Sequence, residues 1–126
     1  MAKGILKINV VEAKNLKDED FIGKSDPYVK FILDKNNFLS TTTKNNDLNP
    51  KFNEKFIFNV DGHKKIGVQV WDKDSVGHDD LIGEDEIDLS EVISKNYVDA
   101  WFDLTKGIFG FRSKGEIHLL MEFVPK

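Results

Sequence analysis

Apolar residues recur at every second position in run after run of this chain, and that period constrains its fold more than any other feature. Leu6, Ile8 and Val10 alternate with Lys7 and Asn9, and Val29 and Phe31 alternate with Tyr28 and Lys30. Phe56, Phe58 and Val60 follow, then Ile66, Val68 and Val70. Ile117, Leu119, Met121 and Phe123 alternate with His118, Leu120 and Glu122. Side chains of an extended backbone point alternately to its two faces, so each run predicts a strand with one buried face. Turn signals separate the runs at Gly23 to Pro27, Asn49-Pro50, Asp61-Gly62, Ser75 to Asp80 and Gly107 to Gly115. Strands at this spacing, without long helical patterns between them, predict an all-β sandwich. One short helix is expected near Leu89 to Lys95, with Ser90 as its N-cap.

The 126 residues suit one domain, with no linker or repeat to divide them, and residues 1–126 read as a single unit. Cysteine is absent, which excludes disulfides and thiolate metal sites and favours a reducing, cytoplasmic setting. The first residues carry no signal-peptide pattern, Ala2 excludes N-myristoylation, and no apolar run reaches the roughly 20 residues of a membrane-spanning helix. Any membrane contact is therefore expected to be peripheral. The net charge of −4 argues against nucleic acid as a partner.

Two groups of acids stand out. Asp20 and Asp26 flank a turn-rich stretch, and Asp72, Asp74 and Asp80 lie at the exit of an apolar strand. The two-residue step puts Asp72 and Asp74 on one side of an extended backbone. If both loops emerge at one end of a sandwich, five carboxylates face one another. Unit charges about 4 Å apart interact by roughly 4 kcal/mol at an effective dielectric near 20, so such a cluster calls for a cation. Calcium fits it best, because it takes oxygen ligands in irregular geometry. The stretch from Asp72 imitates an EF-hand loop only at its start: Val76 stands at the fifth position and Gly83 at the twelfth, where glutamate is required.

The chain resembles the C2 domain of conventional protein kinase C and synaptotagmin. The resemblance rests on Leu6 to Leu16, Gly23-Lys-Ser-Asp-Pro-Tyr-Val29, Leu48-Asn-Pro-Lys-Phe-Asn-Glu-Lys-Phe-Ile-Phe58, Val70-Trp-Asp-Lys-Asp74 and Asp80-Leu-Ile-Gly83. It implies an eight-stranded antiparallel Greek-key sandwich with calcium loops at one end, in the type II permutation whose extra strand comes last. It implies calcium held by Asp20, Asp26, Asp72, Asp74 and Asp80, with the backbone carbonyls of Glu19 and Lys73. Two ions are expected. Gly77 stands where some relatives place a hydroxyl ligand for a third. Relatives that prefer phosphoinositides carry a lysine-rich patch; here Tyr28 and Lys30 match its start, but Ile32 replaces a second lysine and Phe38 to Thr43 contains none.

The expected activity is calcium-dependent binding to anionic phospholipid, phosphatidylserine above all, with recruitment to the membrane when calcium rises. Phe21, Ile22 and Val76 lie among the ligands and are the candidate membrane-contact residues. Phe21 either inserts or folds back onto the sandwich. The alternative is a protein-interaction or scaffold module in signalling or trafficking, with calcium only structural. No enzyme motif is present, and His63, His78 and His118 have no metal-ligand spacing. Trp71 reads as core or loop support.

Overall fold

The computed structural model describes residues 1–17, 24–74, 76–107 and 112–126. Among the described residues, eight strands and one short helix follow in the order β1 (Lys3–Lys14), β2 (Pro27–Asp34), β3 (Asn37–Ser40), β4 (Lys51–Asp61), β5 (Lys65–Asp72), β6 (Asp80–Asp88), α1 (Ser90–Lys95), β7 (Tyr97–Asp103) and β8 (Glu116–Pro125). They form two four-stranded sheets, ordered β4-β1-β8-β7 and β3-β2-β5-β6, and every strand pairing is antiparallel.

The alternating residues build the core between the sheets. Leu6, Ile8, Val10, Phe58, Val60, Ile117, Leu119, Met121 and Phe123 come from one sheet, and Val29, Phe31, Ile66, Val68, Val70 and Ile82 from the other, all buried. Each contributes roughly 1.5–3 kcal/mol by leaving water. Phe56 is only partly buried; its ring lies 5.6 Å from that of Phe31. A register shift between Val10 and Glu12 moves burial from even to odd positions, which is why Ala13 is buried after Val10.

Helix α1 forms where expected, but Ser90 does not cap it. Leu89 occupies the N-cap position without a side-chain bond, and Ser90 is the first helical residue. Its N–H donates to Asp88 Oδ1 at 2.8 Å. A carboxylate two residues upstream thus takes over the capping role. Asn96 ends the helix in the left-handed conformation, its N–H bonded to Val92 O.

The end of the sandwich away from the aspartate loops is tied by His63, which bridges the two sheets. His63 Nδ1 accepts the Asp61 N–H at 3.0 Å, so the ring proton sits on Nε2 and is donated to Asp34 Oδ2 at 2.7 Å. Asn37 and the N–H of Asn36 also donate to Asp34. Chiefly through the His63 bond, then those of Asn37 and Asn36, the Asp34 carboxyl is lowered from its ordinary 3.8 to about 2. A carboxyl lowered by folding stabilises the native state fully above its unfolded value and loses that contribution as pH falls through the folded value. Between about pH 4 and pH 2, Asp34→Ala is therefore expected to lose melting temperature less steeply than the parent. Parallel acid profiles in thermal unfolding would show that the pair contributes nothing.

Both ends of the described chain lie at this same pole. Gly4 pairs with Pro125, and the Lys126 N–H donates to Lys3 O at 2.9 Å.

Candidate calcium site

The aspartate loops emerge together at the opposite pole. Strand β5 stops at Asp72, whose Cα partners are Pro27 at the start of β2 and Asp80 at the start of β6. Three strand ends thus bring Asp26, Asp72 and Asp80 side by side, because the sheet register leaves them no other place. Asp72 is 2% exposed, against Asp74 and Asp80 in the open. Its Oδ1 accepts the Asp26 N–H at 2.8 Å, and the Asp26 carbonyl accepts the Lys73 N–H at 2.9 Å. Asp26 Oδ1 accepts the Asn46 N–H at 2.7 Å. The root of the third loop is therefore locked to the loop that precedes β2.

Within the third loop, Asp74 Oδ1 accepts the Val76 N–H at 3.0 Å. The Asp74 N–H donates to Asp79 Oδ1 at 2.9 Å, and Asp79 Oδ2 accepts the Tyr28 hydroxyl at 2.5 Å. Burial, then the Asp79 carboxylate, pushes the Tyr28 phenol up to about 12. The Asp74 N–H and the Tyr28 hydroxyl hold Asp79 below the usual carboxylate range. Sequence reading missed the Asp79 bridge, since Asp79 is one acid among many until the register sets it beside Tyr28. Val76 is 81% exposed at the loop tip. Gly77 has φ +90° with open space around its Cα. A side chain in this left-handed region costs about 1–2 kcal/mol, so the turn itself favours glycine over a hydroxyl residue.

Asp20, Glu19, Phe21 and Ile22 lie outside the described residues. Among the described residues, no three histidine, aspartate or glutamate side chains converge closely enough to hold a metal. Oxygens of Asp26 and Asp74 are engaged by loop N–H groups instead. The donor set nevertheless fits calcium in kind: its side chains offer only carboxylate oxygens, and one of these carboxylates is held almost out of water.

Trp71 is not part of the core and stands beside the third loop's support instead. It shares the outer face of the β3-β2-β5-β6 sheet with Tyr28, its cross-strand partner, and donates its indole N–H to Gln69 Oε1 at 3.0 Å. On this face Lys30 stands opposite Ser40 and Gln69, with its Nζ 4.8 Å from the Phe38 ring. Ile32 stands opposite Phe38 and Gly67, and Glu84 and Glu86 occupy the next strand. The face is poor in positive charge. His118 is bonded to Asp99 and stacked on Trp101 at 5.0 Å, on the other sheet.

A sequence profile described as the C2 domain matches residues 4–104. The chain belongs to the C2 domain family. This C2 domain is 34% identical to Synaptotagmin-5 of Arabidopsis thaliana over 129 residues, which cover 97% of the chain and 23% of that protein. It spans between 14% and 32% of the curated relatives compared with it. The C2A domain of plant Extended Synaptotagmin 1 superposes with a TM-score of 0.86 at 25% identity, covering 100% of this chain and 98% of that one. The calcium-bound C2A and C2B domains of Extended-Synaptotagmin 2 superpose with a TM-score of 0.84 at 29% identity, covering 99% of this chain and 47% of that one. C2 domains of this synaptotagmin type are in general membrane-binding, calcium-sensing modules. Among the described residues, no helix is long and apolar enough to cross a membrane.

Proposed function

We propose that residues 1–126 act as one calcium-dependent module that docks on anionic phospholipid. Asp20, Asp26, Asp72, Asp74 and Asp80, with the carbonyls of Glu19 and Lys73, would hold two calcium ions. The observation that carries this reading is the buried Asp72 carboxylate at the point where β2, β5 and β6 end together. Bound calcium would supply concentrated positive charge and open coordination positions for lipid phosphate and carboxylate oxygens. The chain's own part is to bring the carboxylates together at one pole and to keep apolar tips such as Val76 facing outward. Two ions would bring the formal net charge from −4 to zero, but the change falls almost wholly on the loop pole. That pole changes from repelling an anionic surface to attracting one. Because binding is reciprocal, lipid raises calcium affinity by the factor that calcium raises lipid affinity.

Headgroup choice should follow charge, since Lys30 shares its face with Glu84 and Glu86. Sedimentation with phosphatidylserine vesicles is expected only with calcium, weakening as salt rises. The melting temperature should rise in millimolar calcium relative to excess EGTA, as a ligand of the native state requires. Calcium without effect on either measurement would overturn the proposal. A strong calcium-independent preference for phosphoinositide at matched charge would contradict the lipid reading.

The scaffold reading draws on the outer face of the β4-β1-β8-β7 sheet, where Ile57, Tyr97 and Val124 are exposed. It requires a melting shift with calcium but no sedimentation with vesicles.

A further inference from the structure

We propose that Asp79, outside the expected ligand set, is the positioning residue of the third loop, fastening it to β2 through Tyr28. This rests on the calcium reading above. The loop's root is held twice at Asp26, by Asp72 Oδ1 and by the Lys73 N–H. Those bonds end at Lys73, and the bond from the Val76 N–H to Asp74 Oδ1 lies wholly within the loop. Asp79 closes it: one oxygen takes the Asp74 N–H and the other takes the Tyr28 hydroxyl, with Lys73 Nζ 3.8 Å from the latter oxygen. Tyr28 is fixed in turn, because its strand pairs with β5 through Trp71.

Asp79 therefore acts on the backbone of a candidate ligand and not on the ion. Both of its oxygens are already committed, and its side chain is only 20% exposed, whereas Asp74 lies in the open. Without the bridge, Asp74 would have to be ordered against the repulsion of its neighbours when calcium binds. Groups that orient a metal ligand typically change affinity 10–100-fold when lost.

Asparagine and alanine at this position separate positioning from ligation. The amide oxygen of Asp79→Asn can accept the Asp74 N–H while its NH2 donates to Tyr28, so both links survive without the charge. Asp79→Ala removes both. Calcium titration by calorimetry is expected to show a loss of about 10–100-fold for Asp79→Ala and retention of most affinity by Asp79→Asn. Tyr28→Phe should fall between them and add little further loss in the Asp79→Ala background. In the metal-free protein, Asp74 amide exchange followed by NMR should quicken in Asp79→Ala and not in Asp79→Asn. Matching melting temperatures exclude a general unfolding effect. Equal losses for asparagine and alanine would make Asp79 a ligand and overturn the positioning role. A parent that binds calcium while Asp79→Ala binds it equally well would overturn that role alone. A parent that binds none would overturn the calcium reading and the role together.

Discussion

Phe21→Ala combined with Ile22→Ala is expected to leave calcium affinity in solution near that of the parent and to remove most affinity for calcium-loaded phosphatidylserine vesicles. Docking through charge alone would disappear at high salt, whereas apolar tips in the headgroup–acyl boundary retain part of it. Full insertion of two large side chains is worth roughly 3–6 kcal/mol, and shallow insertion less. Val76, the one of the three candidate contact residues that lies within the described residues, is 81% exposed, and the Asp74 carboxylate accepts its backbone N–H. Val76→Ala alone should weaken binding in the same direction by about 1 kcal/mol, on the scale of one or two buried methylene groups. A double variant that melts at the parent temperature and binds vesicles as tightly as the parent at high salt would remove insertion from the mechanism.

Asp72→Asn is expected to weaken calcium binding on the order of a hundredfold, or about 2.7 kcal/mol, while changing metal-free stability little. The asymmetry follows from its surroundings. Asparagine keeps an oxygen for the Asp26 N–H and so preserves the hinge between the two loops. It deletes the charge that, by resemblance to the family, two bound ions would share. Asp72→Leu should differ by also destabilising the metal-free protein by about 1–3 kcal/mol, since the Asp26 N–H then loses its acceptor. If asparagine at 72 and at 79 weaken calcium binding equally, Asp72 holds no special place in the site.

The core strands were legible because their burial alternates: Leu6 to Val10 and Ile66 to Val70 each state which face meets the other sheet. β3 carries no such statement. All four of its residues are exposed, and only the family resemblance marked its neighbourhood. The helix near Ser90 was legible from position but not from its cap, since Asp88 competes successfully for the Ser90 N–H. Asp72, Asp74 and Asp80 were visible as a spacing, and the structure places Asp72 and Asp80 opposite each other. The bonds of Asp79 to Tyr28 and of His63 to Asp34 join residues 51 and 29 positions apart. Which residues such bonds join is decided by strand register, and local patterns do not encode it. The choice between core and loop support for Trp71 was open for the same reason: aromatic character alone did not say that its partner across the sheet would be the outward-facing Tyr28, which holds Asp79 of the third loop.

The meeting of Lys3 with Lys126, and of Gly4 with Pro125, governs how such a module can be tethered. Any polypeptide continuing from either end would depart from the pole opposite the aspartate loops, and from nearly one point. A neighbouring unit on either side would then hang behind the proposed docking surface and leave it unobstructed. With entry and exit so close together, the sandwich could also be spliced into a surface turn of another protein without prising that turn apart. Its orientation at a bilayer would be set by the loops, with the attached cargo held on the aqueous side.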